Sequence, residues 1–500
     1  MKTLTLDSFS KNKNNNPLTF TVLAISGIFS AHLQAREVTC LPELDINQTE
    51  SANAQRPNIL FLFADDMRAS TIRELGNDVI ITPNLDRLVQ NGTAYVNNYI
   101  MGGTSGAVSM PSRAMLMTGR NLFSIDREGQ SIPKEHTMMG EAFRNAGYQT
   151  FGIGKWHNGQ EAFNRCFGDG GEIFFGGMTD HWNVPAFDYD HTGEYAARIP
   201  YTVNFETQRV AFRDADHIKS GKHSSELFSD QAIAFINNYD VKNPFFMYVA
   251  YMAPHDPRVM PQKYMNMYDT AKIALPANYL PEHPFDNGEM RIRDEILLGF
   301  PRNKEEVKME ILRYYAMITH LDEQIGRVIE ALKNNGLYEN TIIVFAADNG
   351  LAVGQHGLLG KQNLYEHSLK VPLIFIGKGF EAGRKEERFT YLHDIFPTIC
   401  ELTQIPVPES VETQSILSKQ KREVLYYAYR HLQRAVRKDN FKLIEYHVEG
   451  VETIQLFDLE NDPMEINNLI YEPKYAKKVD EMRKLLREQK TVYNDQRINL

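Results

Sequence analysis

The apolar residues of this chain fall into short unbroken runs separated by longer periodic stretches. Asn58-Ile59-Leu60-Phe61-Leu62-Phe63 is one such run, and Tyr148 to Ile153, Phe245 to Tyr251 and Thr341 to Ala346 are others. Runs of this length without polar alternation predict strands buried on both faces, the pattern of a parallel sheet. Between them, apolar positions recur every three or four residues. Glu305 to Asn334 carries Ile311, Leu312, Ile318, Leu321, Ile325 and Leu332 on one helical face. Asp230 to Tyr239 and His393 to Leu402 predict shorter helices. The parallel pattern fades after Leu373-Ile374-Phe375-Ile376, and Pro406 and Pro408 mark a boundary. Beyond it, Val424 to Tyr429, Phe441 to Tyr446 and Thr453 to Phe457 predict short strands, and Tyr475 to Gln489 a polar helix. The fold class expected is α/β. A large, mostly parallel sheet flanked by helices spans 57–405, and a smaller α+β subdomain with an antiparallel sheet spans 406–500.

Each long apolar run ends in polar chemistry. The endings are Asp65-Asp66, Gly154-Lys155-Trp156-His157, Pro254-His255-Asp256 and Asp348-Asn349-Gly350. Sites in open α/β sheets form outside the carboxyl ends of the strands, so parallel strands would bring all four clusters to one edge.

Composition narrows the class of partner. The net charge of -10 over 500 residues argues against a nucleic-acid partner. The three cysteines, Cys40, Cys166 and Cys400, are too few and too widely spaced for a disulfide framework or a cysteine metal site. Lys2, Lys11 and Lys13 precede an apolar stretch from Leu18 to Phe29, with the small residues Ala31 and Ala35 after it. This reads as a signal peptide over 1–35, followed by a polar linker over 36–56. No other run approaches the ~18 apolar residues of a membrane span. A periplasmic or secreted protein without a membrane span is expected.

Asp65, Asp66, Asp348 and Asn349 are hard oxygen ligands, a set that suits Ca²⁺ or Mg²⁺ better than zinc. Lys155 and His157, two apart, point the same way if the chain stays extended; one can hold an anion and the other accept a proton. His255 is read either as a structural hydrogen-bonder or as an acid. Lys361 lies in a glycine-rich loop that would let it turn inward. One further run, Ser109-Met110-Pro111-Ser112-Arg113-Ala114-Met115-Leu116-Met117-Thr118-Gly119-Arg120, reads as a short helix. Pro111 suits its first position and Gly119 the position past its end. Ser109 then sits at a helix N-terminus, which favours anions. The residues alone leave open both a capping serine and an anion-handling nucleophile.

That run also resembles the sulfatase signature, in which a Cys or Ser is followed by x-Pro-Ser-Arg, four residues and Thr-Gly-Arg. Gly154-Lys155-Trp156-His157 is similar to the second signature of the same family. The likeness extends from Arg56 to the C-terminus and includes Leu456-Phe457-Asp458-Leu459-Glu460-Asn461-Asp462-Pro463. The resemblance implies an alkaline phosphatase-like fold and a serine-type bacterial enzyme. It implies that Ser109 is oxidised to formylglycine (3-oxoalanine) by a radical S-adenosylmethionine maturing enzyme before export. It further implies Ca²⁺ held by Asp65, Asp66, Asp348, Asn349 and the oxygen at position 109. Arg113 would orient the aldehyde hydrate. Lys155, His255 and Lys361 would hold the transferring group, with His255 protonating the leaving oxygen and His157 releasing the sulfate from the hydrate.

The substrate implied is a sulfated carbohydrate. An exo-acting sulfatase on O-sulfated galactose or N-acetylgalactosamine is expected, with sulfated glucosamine or uronic acid as the alternative. Trp182 would stack on the sugar, His181 would read a hydroxyl, and Arg258 would pair with a carboxylate or a second sulfate. Two other classes remain open: a phosphodiesterase or phosphonate hydrolase sharing the aldehyde, and a non-enzymatic glycan-binding protein in which Ser109 stays unmodified.

Overall fold

Asn58–Ala64 contains no polar side chain after Asn58, and every residue in it is buried. It can be satisfied only with strands on both sides and apolar layers above and below. A computed structural model describes residues 56–495 and gives it that place. The expected signal peptide, the linker before Arg56 and Cys40 lie outside the described residues.

The strand lies inside an eight-stranded sheet. In spatial order the sheet runs Arg384–Glu386, Thr93–Tyr95, Leu373–Ile376, Thr341–Ala347, Asn58–Ala64, Phe245–Ala250, Gln149–Trp156 and Asp169–Phe175. Five neighbouring pairs are parallel; Leu373–Ile376 runs antiparallel to both its neighbours. Helices flank the sheet. Lys304–Asn334 packs on Ser224–Asn238 and Pro83–Asn91, while Ser109–Thr118, Met139–Asn145 and Gln160–Cys166 form a second group. The mixed α/β architecture expected from the runs is present.

Register explains why the strand endings meet. Ala64 lies opposite Ala347, Phe63 opposite Ala250, and Ala250 opposite Gly154. The next residues therefore emerge level with one another. The Asp65 N–H donates to the Ala253 carbonyl at 3.1 Å, and the Asp348 N–H to the Ala64 carbonyl at 3.2 Å.

The strand ending in the Lys155 motif differs from expectation. It continues through Trp156, so Lys155 is a strand residue rather than a loop residue. The continuation passes through an irregularity between Ile153 and Gly154. Gly154 has φ +83°, and a Cβ there would lie 2.2 Å from the Ala250 carbonyl oxygen, so only glycine fits.

The helix from Ser109 also begins earlier than its proline suggests. It spans Ser109–Thr118, making Pro111 its third residue, and Gly119 ends it in the left-handed conformation expected. The helix of 224–238 begins six residues ahead of Asp230, because His223 caps it by accepting the Ser225 N–H.

At the C-terminal end, Val424–Tyr429, Gln433–Lys438, Phe441–Val448 and Val451–Asp458 form an antiparallel sheet. Gly102–Gly103 adds a fifth strand to it, parallel to Val424–Tyr429. The helix Ala476–Val492 packs on this sheet and buries Met482 and Leu486. Cys166 and Cys400 are buried free thiols. Among the described residues no helix is long and apolar enough to cross a membrane.

Candidate active site

Three carboxylates meet at the level strand ends. Oxygens of Asp65, Asp66 and Asp348 lie within 4.8 Å of one another, and all three residues are buried. Three buried cations face them. Arg113 Nε donates to Asp348 at 3.0 Å, Lys155 Nζ bonds Asp65, and Lys361 Nζ donates to Asp66 at 2.7 Å. Such a cluster would be prohibitively costly if either sign stood alone.

Ser109 Oγ occupies the centre. It donates to Asp65 Oδ1 at 3.1 Å and accepts from Asn349 Nδ2 at 3.0 Å, with Lys361 Nζ at 3.5 Å. Its hydroxyl is not a helix cap; the cap position belongs to Val108, which offers no side-chain bond. Arg113 lies one turn along the same helix. Its guanidinium donates to the Lys155 carbonyl at 3.2 Å and rests over the Phe63 ring.

Neighbouring loops hold this geometry. The Asn158 amide donates to the Met110 carbonyl, tying the start of the serine helix to the strand that carries Lys155. Glu295 accepts the N–H groups of Leu359 and Gly360 at 2.9 and 2.8 Å and so fixes the loop bearing Lys361.

The electrostatics follow from burial and proximity. Burial raises the Asp66 carboxyl above its usual range despite Lys361, and burial together with Asp65 raises Asp348. Burial lowers the Lys155 ammonium. For Lys361 burial works against the charge, but Asp66 and Asp294 outweigh it and the ammonium is held above its usual range. Burial and the charges of Lys155 and Arg113 push the His157 imidazole down to about 2. Burial, then Lys361 and Lys155, hold His255 well below its usual range. His255 Nδ1 donates to the Asp256 carbonyl at 2.8 Å, so its Nε2 faces the carboxylates, 3.6 Å from Asp66.

The donor set fits a hard divalent cation. Asn349 Oδ1 is buried beside the three carboxylates and has no hydrogen-bond partner. An orphaned amide oxygen next to clustered carboxylates is an all-oxygen ligand set of the kind such ions take.

Above this floor opens a cavity of about 230 Å³, lined by Ser109, Lys155, His157, His255 and Lys361 together with Met178, Ile292, Arg293, Asp294 and Gln362. A helix-borne serine beneath an anion-sized pocket with two lysines and two histidines is the arrangement the signature implied. The family comparison decides its identity: the sulfatase family model matches residues 57–405. The chain belongs to the sulfatase family. It is a sulfuric ester hydrolase.

A second model, the C-terminal part of N-sulphoglucosamine sulphohydrolase, matches residues 354–492. Among curated proteins, this sulfatase is 26% identical to an N-acetylglucosamine-6-O-sulfatase of Bacteroides thetaiotaomicron, covering 91% of each chain. It is 29% identical to an arylsulfatase of Clostridium perfringens, over 86% of this chain and 94% of the other. Among solved structures, a protein in complex with its substrate D-glucosamine-2-N,6-O-disulfate superposes with a TM-score of 0.67 at 24% identity, covering 89% of this chain and 99% of that one.

The structure therefore brings Asp65, Asp66, Ser109, Arg113, Lys155, His157, His255, Asp348, Asn349 and Lys361 together. It does not bring the three expected sugar-binding residues to the pocket. His181 is fully buried, with Nδ1 2.7 Å from Ser224 Oγ and Nε2 donating to the His255 carbonyl at 3.0 Å. With both nitrogens engaged, it holds the His255 loop instead of reading a hydroxyl. Trp182 lies edge-on against His223, with ring centres 5.2 Å apart. Arg258 pairs with Glu310 at 3.0 Å and lies over Tyr314.

The wall residues that sequence reading missed are Met178, Ile292, Arg293, Asp294 and Gln362. Arg293 pairs with both Asp256 and Asp294, and Gln362 Nε2 donates to Asp294 at 2.8 Å. Only Asp256, adjoining His255, carried a signal in the sequence.

Proposed function

We propose that this sulfatase removes a sulfate ester from a glucosamine-type sugar, using formylglycine made from Ser109 and a bound Ca²⁺. The single observation that carries the reaction is the position of Ser109 Oγ, between the Asp65 carboxylate, the Asn349 amide and the Lys361 ammonium. The hydrated aldehyde supplies a nucleophilic hydroxyl that a plain serine cannot regenerate, and Ca²⁺ supplies a fixed positive charge for the transferring group. Asp65, Asp66, Asp348 and Asn349 would hold the ion. Arg113, charged and fully buried, orients the position-109 side chain through Asp65 and Asp348. Lys155 and Lys361 bind the sulfuryl oxygens and offset the charge that grows on them. His255, already donating through Nδ1, presents Nε2 toward the leaving sugar oxygen. The anionic substrate raises its basicity, so that it can carry the proton given to that oxygen. His157, held neutral, is the base that takes a proton at position 109.

The sugar assignment rests on different grounds. The galactose or N-acetylgalactosamine expectation draws no support from the curated relatives reported above. A glucosamine sulfate is favoured by the N-acetylglucosamine-6-O-sulfatase relative and the N-sulphoglucosamine sulphohydrolase C-terminal match. The Arg293–Asp294 pair at the wall supplies one donor and one acceptor for hydroxyls beside the sulfate. Export to the periplasm and maturation by a radical S-adenosylmethionine enzyme complete the proposal. A panel of regiospecifically sulfated monosaccharides tests it. Turnover is expected on 6-O-sulfated glucosamine or its N-acetylated form, and faster turnover of a galactose sulfate overturns the sugar assignment.

A further inference from the structure

Behind the Asp348-Asn349-Gly350 turn lies a second cavity, of about 210 Å³, walled by the segments 68–70, 366–370 and 463–465 and by Arg437 of the C-terminal sheet. It shares no lining residue with the Ser109 pocket. Arg68, Lys370, Arg437, Glu366 and Glu465 carry its charge, and His367, held well below its usual range by burial, lines it as a neutral imidazole. That volume is several times the ~30 Å³ share of one liquid water.

Its charges do not balance internally. Glu366 is satisfied by Lys442 at 3.1 Å, Arg437 at 3.3 Å and the Tyr99 hydroxyl at 2.8 Å. Glu465 is satisfied by Lys442 at 2.9 Å. These two carboxylates and two cations form a closed network. Arg68 and Lys370 stand outside it, and neither has a carboxylate within 4.0 Å among the described residues. Arg68 is only 4% exposed, and its buried Nε finds no hydrogen-bond partner. Its guanidinium lies over the face of Tyr314. Beside it the buried His367 Nε2 is likewise without a partner. A nearly buried guanidinium without an acceptor is a costly arrangement unless something outside the chain supplies one.

We infer that this cavity is a second anion site, which binds a tetrahedral sulfate group between Arg68 and Lys370. The guanidinium offers the planar fork that pairs with two oxygens of such a group, and Lys370 offers a point charge. The sulfate group comes either as the free inorganic ion released by the enzyme or as a second ester on the same glycan. The site abuts the catalytic turn. A Cβ on Gly350 would lie 2.2 Å from the His367 carbonyl oxygen and 3.2 Å from Arg68 Cγ, so the turn bearing Asp348 and Asn349 rests directly on the residues that line it.

The test is calorimetric titration of the full-length enzyme with sodium sulfate at constant ionic strength. Wild type is expected to bind two equivalents, one in each cavity. Arg68→Gln and Lys370→Gln are each expected to bind one, and Lys370→Gln, which lies outside the Ser109 pocket, is expected to retain turnover of a simple aryl sulfate. Methanesulfonate, which presents sulfur oxygens on a carbon chain, separates the sources. If it competes for the second equivalent, an esterified group fits; if only sulfate binds, the ligand is the free dianion. One equivalent in wild type, or two retained in both variants, overturns the inference. Should Arg68→Gln fail to fold, Lys370, which is only partly buried, decides the matter alone.

Discussion

The floor and the wall of the Ser109 pocket are built by different means. The floor comes from strand ends and one helix start. Its three carboxylates and three cations are interlocked, and its backbone is set by the register of four parallel strands. The wall comes from irregular connections, with Met178 after an edge strand and Ile292-Arg293-Asp294 in a long loop before the helix of 304–334. Moving one floor residue leaves a buried charge uncompensated, whereas moving a wall residue changes which molecule fits. On the function proposed above, the floor would carry the reaction and the wall the choice of sugar.

This division can be broken experimentally, most severely at the floor. Ser109→Ala should lower kcat by on the order of 10⁴ to 10⁶ on every substrate, the scale seen when a nucleophile is removed. Wild-type rates in the pure variant would refute the role of position 109. Lys361→Ala should cost about 10²- to 10³-fold in kcat on aryl and sugar sulfates alike, as loss of one charge-stabilising donor does. Chelation should act in the same way, with activity restored by Ca²⁺ and not by Zn²⁺.

At the wall the signature should change. Arg293→Ala should raise KM for the preferred sugar sulfate by roughly 10- to 100-fold, the ~1–3 kcal/mol of a charged hydrogen bond, while sparing a simple aryl sulfate. An equal loss on both substrates would move Arg293 into the floor.

The smallest effect is expected at His181, which belongs to neither region. Its removal leaves the His255 carbonyl and the Ser224 hydroxyl unsatisfied, a loss of about 1–3 kcal/mol of stability, with aryl and sugar sulfates affected alike. Burial lowers His181 to about 4 and neighbouring His223 to about 3. Both bind protons more readily unfolded than folded, so the stability they confer is full above pH ~6.5 and is lost as the pH falls through the acid range. Thermal melts from pH 7 to 4 should decline, and less steeply in His181→Ala.

The same division explains what could be read from the sequence. Asn58–Ala64 and Thr341–Ala347 are apolar without interruption because both faces are buried, and their endings had to emerge together once the strands were parallel. Asp65, Asp66, Lys155, His157, His255, Asp348 and Asn349 were legible for that reason; Ser109, Arg113 and Lys361, on a helix and a loop, were legible only through the likeness to the sulfatase signature. Gln433–Lys438 was not, because its strand carries Arg434 and Arg437. The first pairs with Asp495 and the second with Glu366, so buried charge there mimics a polar loop. Arg293 and Asp294 had no periodic context at all, and only the path of the loop brings them to the pocket. His181 misled in the opposite sense: a histidine beside a tryptophan suggested sugar contact, but its two nitrogens are spent on Ser224 and the His255 backbone.

The central claim is that the working group at position 109 is an aldehyde made from serine. Mass spectrometry of the peptide spanning Ser109, taken from active enzyme, tests it most directly. The peptide should be lighter than its serine form by two hydrogens, or should appear as the corresponding hydrate. Fully active enzyme carrying only unmodified serine at that position would contradict the account.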